Sequence, residues 1–367
     1  MNRQFYFDLA DQSIAGNALN RGISETILNS PDIELISLLN AAFEVRKKYT
    51  GKNVKIHIIN NAQNGHCPED CHYCAQAKTS QADIKEYPLK SDAEILAEAK
   101  AAYEKGAYRY CMVFAGRGPS ERRVEHLSRL IQEIKSKYPI EICVSAGLLD
   151  LEKAKKLKSA GLDRLNHNLN TSESHYPNIC TTHTYKQRED TLNAAREAGI
   201  QLCSGLIIGM GEKSKDIIDV AYSLREKKVE SIPVNLFMSI EGNIVKEKSE
   251  LTPEYCLRVL CLYRFLNPTS EIRVAAGREV HLRNLEVMAL FPANSLFLEG
   301  YLNTKGAEVN KTYQMIKDAG FMIDSTFSID EVMNVQPAEI SNKPADVSSR
   351  LVMKDLNDLR PSLNLSK

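Results

Sequence analysis

The chain has no tryptophan at all, so no interface or ligand cage in it can rest on indole rings. It also lacks any excess of charge. Its 47 basic residues meet 47 acidic ones, which excludes the broad positive field that holds a nucleic acid. No apolar run approaches the roughly 18 residues that a membrane helix needs. The start, MNRQFYFDLADQ, places Asp8 and Asp11 where a secretory leader would be apolar, so a cytoplasmic location is expected. What remains is ordinary globular material: 43% of the 367 residues are apolar and 26% charged, enough to bury a large core. Nine cysteines stand out against this background. An odd number of thiols in a reducing compartment argues for metal ligation or catalysis rather than a disulfide framework.

Short β-branched runs alternate with longer amphipathic stretches along most of the chain. Strands are expected at 55–59, 108–114, 140–146, 163–168, 202–209, 231–237, 271–277 and 294–300. Helical patterns fill the gaps, as at 91–106, 121–137 and 185–199. Ser91 and Asp92 are placed to cap a helix start, and Gly106, Gly161 and Gly199 stand where helices stop. Eight strand–helix units predict an α/β fold of the TIM-type (β/α)8 barrel kind, with a doubly wound open sheet as the alternative that periodicity does not separate. The division read from the pattern is a helical lead-in over 1–50, a barrel over 51–325 and a polar tail over 326–367. The stretch QPAEISNKPADVSSR gives that tail its expected disorder.

The segment NGHCPEDCHYCAQ spaces Cys67, Cys71 and Cys74 as C-x3-C-x2-C, directly after the first expected strand. In a barrel, that loop lies on the face where chemistry happens. Three thiolates fill three iron positions of a cubic iron–sulfur cluster and leave the fourth iron open for a ligand. The alternative is a zinc knuckle completed by His66 or His72, although no second cysteine pair follows as zinc hairpins usually require. Such a zinc-stabilised binding module would have no redox role.

Cys111, Cys143 and Cys203 each fall in the middle of an expected strand, and Arg109 shares a face with Cys111. A single buried cysteine is usually a small core residue. Arg273, also mid-strand, is harder to dismiss, because an unpaired buried guanidinium is costly and calls for an anionic partner such as a thiolate-bound cluster. Cys180, Cys256 and Cys261 fit no pattern and read as ordinary core thiols. His167 and His183 likewise read as structural, while Arg109 and Arg278 are second-tier candidates for ligand contacts, with pairing to carboxylates in the barrel as the alternative. Asn166, Asn168 and Asn170 recur at every second position, offering amides that suit hydroxyls and a cyclic urea. The glycines of GLIIGMGE let backbone approach a flat base closely.

The cysteine triplet with an aromatic before its third member resembles the signature of the radical S-adenosylmethionine enzymes, and CPEDCHYCAQ resembles that of the biotin synthase family. The likeness extends to about residue 322 through RYCMVFAGRGPS, DRLNHNLNTS, LCSGLIIGMGE, SIPVNLF and VAAGREV. It implies a 4Fe–4S cluster on Cys67, Cys71 and Cys74. It also implies an auxiliary 2Fe–2S cluster on Cys111, Cys143, Cys203 and Arg273. S-adenosylmethionine is then expected near Tyr73, Asn168, Asn170 and Arg188, with Arg188 on the methionine carboxylate. Asn166, Asn168 and Asn235 are the expected dethiobiotin contacts. Asn170 departs from the family, many members of which have Asp there, and a charged ribose contact is weakened. The implied reaction is radical sulfur insertion into dethiobiotin by 5′-deoxyadenosyl radicals, with the auxiliary cluster as sulfur donor. A flavodoxin or ferredoxin would be the electron donor, and a homodimer is expected. Mutases and maturases with the same barrel are not expected to combine all three strand cysteines with the arginine.

Overall fold

The computed structural model describes residues 1–245, 251–335 and 351–364. Its centre is a closed barrel of parallel strands: β1 (Asn53–Gln63), β2 (Arg109–Phe114), β3 (Glu141–Ser145), β4 (Arg164–Asn166), β5 (Gln201–Cys203) with β6 (Leu206–Ile208), β7 (Ser231–Leu236), β8 (Glu271–Val274) and β9 (Ser295–Leu298). β5 and β6 are two halves of one stave, and β1 pairs with both β2 and β9 to close the ring. The eight expected strands are therefore all present, and the open-sheet alternative is set aside. A short β10 (Met322–Ile323) adds to the start of β1 outside the ring.

The helices follow as α1 (Arg3–Ile14), α2 (Arg21–Asn29), α3 (Leu35–Thr50), α4 (Asp92–Glu104), α5 (Glu121–Lys137), α6 (Leu151–Ser159), α7 (Tyr185–Glu197), α8 (Ser214–Glu226), α9 (Pro253–Leu266), α10 (Arg278–Leu282), α11 (Val309–Asp318), α12 (Ile329–Val335) and α13 (Leu356–Leu359). Their ends obey the local signals. Ser91 and Glu94 form a capping box on α4, as do Thr184 and Gln187 on α7. Gly106, Gly161 and Gly199 take φ of 72°, 98° and 77°, the left-handed turn in which a side chain is strained. α9 is buried on every face, from Cys256 to Leu266, because the lead-in helices cover the side that the barrel does not. Ser13 Oγ donates to the Phe265 carbonyl at 2.8 Å, and Arg258 donates to the Ser30 carbonyl at 2.7 Å.

The C-terminal stretch differs from the loose tail expected over 326–367. α12 buries Val332, and residues 351–364 are tied down. Lys305 N donates to the Val352 carbonyl and Lys354 N to the Asn303 carbonyl, both at 2.8 Å. Arg360 grips Glu94 through Nε at 2.8 Å and Nη2 at 2.9 Å. Composition misled here because one arginine and a few backbone bonds suffice to dock a polar segment. The segment QPAEISNKPADVSSR lies outside the described residues. Among the described residues, no helix is long and apolar enough to cross a membrane.

Candidate active site

The strands' C-terminal ends open into a cavity of about 260 Å³. Cys67, Tyr73 and Cys74 border it from the loop after β1. Asn166, His167, Asn168 and Asn170 border it from the end of β4, together with Arg188, Ile207 and Asn235. The loop owes its shape to the two acidic residues inside the cysteine string. Asp70 accepts from Thr181 N at 2.9 Å and Thr182 N at 3.1 Å, and also from both threonine hydroxyls. Burial opposes its charge, but the hydrogen bonds led by Thr181 outweigh it and hold the carboxyl well below its usual range. Glu69 accepts from Thr182 Oγ1 and His183 Nδ1, each at 2.6 Å, and from Arg117 at 3.2 Å. The cysteine loop is thus moored to residues 180–183, which lie between the fourth strand and α7.

The three loop sulfurs do not converge as the donors of one ion would. Among the described residues, the one trio of metal-type donors lying within 4.8 Å of one another is Cys71, Cys180 and His183. The zinc-knuckle alternative also loses its fourth ligand. His66 is exposed and faces Glu86 at 3.6 Å, while His72 Nδ1 lies 3.0 Å from the Asn178 carbonyl. Cys67 and Cys74 border the cavity and stand apart as a cubane requires, each sulfur taking a different iron, whereas Cys71 lies off that wall beside Cys180. Cys180 is not the isolated core thiol that the sequence suggested: its Sγ is 3.9 Å from Cys71 Sγ. Cys256 and Cys261 are fully buried on α9.

Deeper in the barrel, Cys111 and Cys143 are direct register partners on neighbouring strands, and Cys203 completes a buried cluster with Ala275 and Phe297. Arg273 Nη1 reaches Cys203 Sγ at 3.6 Å, and its Nε is buried without a hydrogen-bond partner. Three thiols and a guanidinium with a spare N–H around a small void fit a cluster held by sulfur and nitrogen. Below lies a layer of charge. Glu271 takes Arg273 Nη2 at 2.6 Å, His57 Nε2 at 2.9 Å and Arg109 Nη1 at 3.2 Å. Burial works against the Glu271 charge, yet Arg109 and then His57 and Arg273 hold its carboxyl well below the usual range. Arg109 also binds Glu141 at 2.5 Å, and Arg278 binds Glu286 at 2.8 Å, so both pair with carboxylates, and neither borders the mouth cavity as a ligand contact would.

Around the mouth, Asn166 Nδ2 lies 3.3 Å from Cys203 Sγ, Asn168 Oδ1 accepts from Gly205 N at 3.1 Å, and Asn235 Nδ2 donates to the Leu206 carbonyl at 2.9 Å. Asn170 takes φ of 69° and donates to Tyr73 OH at 2.6 Å. Arg188 contacts the Asn168 carbonyl at 2.8 Å, His183 Nε2 at 2.9 Å and Tyr176 OH. Among the described residues it has no carboxylate partner, so a buried cation on the cavity wall is left for an anionic ligand group. Of the GLIIGMGE segment, Ile207 borders the cavity. Gly205 instead answers to packing, because a Cβ there would meet the Pro233 carbonyl oxygen at 1.9 Å. Tyr301 and Asn303 also line the cavity. They come from the loop after β9, where no local pattern marked them.

Two sequence profiles match the chain: the Radical SAM superfamily over residues 64–223, and the Biotin and Thiamin Synthesis associated domain over residues 233–322. The biotin synthase of Magnetococcus marinus is 54% identical over 316 residues, covering 86% of this chain and 98% of that protein. That of Acaryochloris marina is 57% identical over 304 residues, covering 83% and 88%. Among solved structures, methylornithine synthase matches with a TM-score of 0.74 at 20% identity, over 89% of this chain and all of that one. An FeFe-hydrogenase maturase of Carboxydothermus hydrogenoformans matches with 0.74 at 18%, over 90% and 81%. Those two show the fold alone. The barrel and the cysteine loop at its mouth are those of a radical S-adenosylmethionine enzyme. Within that class, the chain belongs to the biotin synthase family. A 4Fe–4S cluster, S-adenosylmethionine and an auxiliary 2Fe–2S cluster are the cofactors that this membership brings.

Proposed function

We propose that this chain converts dethiobiotin to biotin, with Cys67, Cys71 and Cys74 holding the 4Fe–4S cluster and Cys111, Cys143, Cys203 and Arg273 holding the auxiliary one. When bound, the cofactors supply 5′-deoxyadenosyl radicals and the sulfur atom. The protein's share is to bind, orient and exclude water. Arg188 offers its uncompensated charge to the methionine carboxylate. Tyr73 and Asn170, joined by their hydrogen bond, border the nucleoside, and Ile207 gives its base an apolar face. Asn166, Asn168 and Asn235 present amides to the ureido ring of the substrate.

The observation that carries this reading is a shared wall. Asn166, Asn168, Asn235, Val113, Ser145 and Tyr301 border both the mouth cavity and the void among the strand cysteines. A molecule seated there touches the radical source on one side and the sulfur source on the other. The buried walls shield a reactive intermediate from solvent. Residues 51–325 form the catalytic unit in this reading, served by a flavodoxin or ferredoxin in the cytoplasm, with a homodimer as the working form.

The test is anaerobic reconstitution followed by metal and sulfide analysis, then assay with dethiobiotin and S-adenosylmethionine. Roughly six irons and six sulfides per chain, with biotin formed, are expected. Four irons and no biotin would keep the radical chemistry but remove the sulfur donor, as in a mutase-like relative. A chain that takes up no acid-labile sulfide would overturn the whole reading.

A further inference from the structure

Cys180 and His183 have no part in the reaction just described, yet both are buried against one of its ligands. Cys180 Sγ lies 3.9 Å from Cys71 Sγ, 3.3 Å from His183 Nδ1 and 3.8 Å from His183 Nε2. A tetrahedral zinc site with Zn–S near 2.3 Å and Zn–N near 2.0 Å separates its sulfurs by about 3.8 Å and sulfur from nitrogen by about 3.5 Å. The sulfur–sulfur spacing is that of two donors to one ion, and a nitrogen of His183 lies within 4.8 Å of both sulfurs. The triplet itself is arranged differently.

The structure assigns a further metal site to this chain: in the cluster-free protein, Cys71, Cys180 and His183 bind one thiophilic divalent cation of the zinc type. The outer partners are already in place. His183 Nδ1 is held by the Glu69 carboxylate at 2.6 Å, the kind of contact that orients a ligating imidazole, and because Cys180 Sγ now lies nearer Nδ1 than Nε2 the ring must turn to bring Nε2 onto the ion. Arg188 now donates to that Nε2 at 2.9 Å and would give up this one contact to the ion, keeping its bonds to the Asn168 carbonyl and Tyr176 OH. Asp70 Oδ1, 3.3 Å from Cys180 Sγ, borders the fourth coordination position. Cys71 is common to both sites, so the ion and the 4Fe–4S cluster exclude one another. That competition rests on the assignment of Cys71 to the cluster; the ion site does not. One consequence is practical: zinc in a cluster-poor preparation marks this site and does not argue against iron–sulfur chemistry.

Cobalt(II), added to the full-length cluster-free chain without oxygen, reports thiolate ligation by its visible spectrum, and zinc should displace it. Cys180→Ala is expected to remove one equivalent of cobalt relative to wild type, and His183→Gln to weaken that equivalent by more than about tenfold. Cys67→Ala should keep the equivalent while failing to rebuild the 4Fe–4S cluster. Cys180→Ala should show the reverse, rebuilding the cluster with normal iron and sulfide. Cobalt held by the strand cysteines is common to all these proteins and cancels in the difference. Equal cobalt uptake by wild type and Cys180→Ala would overturn the site, and so would a loss in Cys67→Ala as large as that in Cys180→Ala. Thermal melts of the two variants, together with the milder His183→Gln, separate a missing ligand from a damaged fold. Absence of iron and sulfide from every protein would count against the proposed function and leave the cobalt result standing.

Discussion

Two trios of cysteine sit a few layers apart in the same barrel, and they are held in different ways. Cys111, Cys143 and Cys203 are on strands, where ladder register fixes their spacing and closure of the ring buries them. Cys67, Cys71 and Cys74 are on a loop whose backbone has no ladder. Its geometry depends on Asp70 and Glu69 gripping Thr181, Thr182 and His183. The first trio is preorganised by the scaffold itself, the second by a handful of charged hydrogen bonds at an open mouth. Under the proposed assignment, a sulfur that is consumed and an iron that must admit a ligand make different demands, which the two constructions would meet.

The comparison can be broken at its strongest point with Cys71→Ala. This change should abolish S-adenosylmethionine cleavage and remove roughly four irons per chain, counted after anaerobic reconstitution. Cys143→Ala should separate the trios: 5′-deoxyadenosine still forms, and biotin does not. Biotin at the wild-type rate from that variant would disprove the sulfur-donor assignment. Arg273→Ala is expected to be milder, with the auxiliary cluster's visible spectrum shifted and biotin yield reduced less than about 100-fold, since three thiolates remain. Complete loss of that spectrum would mean that the guanidinium matters more than any one thiol.

Two smaller effects concern the walls. His167 is buried, and burial followed by the nearby Arg188 and His183 holds its pKa well below the ordinary 6.5. The folded chain therefore refuses a proton that the unfolded chain accepts. Its contribution to stability is full above pH 6.5 and falls as the pH drops below that value. His167→Gln should flatten the loss of melting temperature between about pH 6.5 and 5. Arg360→Ala, which cuts the C-terminal segment from Glu94, should cost about 1 kcal/mol, or about 2 °C in melting temperature. A larger drop would show that residues 351–364 buttress the cavity wall at Asn303 as well as the surface.

Much of this molecule was legible because its signals are local. Strand positions followed from β-branched runs, helix ends from Ser91, Asp92 and the glycines, and the candidate ligand loop from cysteine spacing. Arg273 could be singled out because a buried guanidinium is too costly to be incidental. Cys180 was not legible. Its environment is made by residues 69–71, more than a hundred positions away, and only the mooring of two loops brings the sulfurs together. Tyr301 and Asn303 escaped for the same reason, and the docked C-terminal segment because a docking partner is invisible to composition.

By itself the sequence determined the barrel, the two trios of thiols and the class of chemistry, since periodicity and ligand spacing are properties of neighbours along the chain. Tertiary structure alone decided that the two trios share a wall of amides, that Arg188 faces the cavity with no carboxylate partner among the described residues, and that Cys180 stands beside Cys71. Those are relations between distant segments, and closing the ring of strands is what sets them.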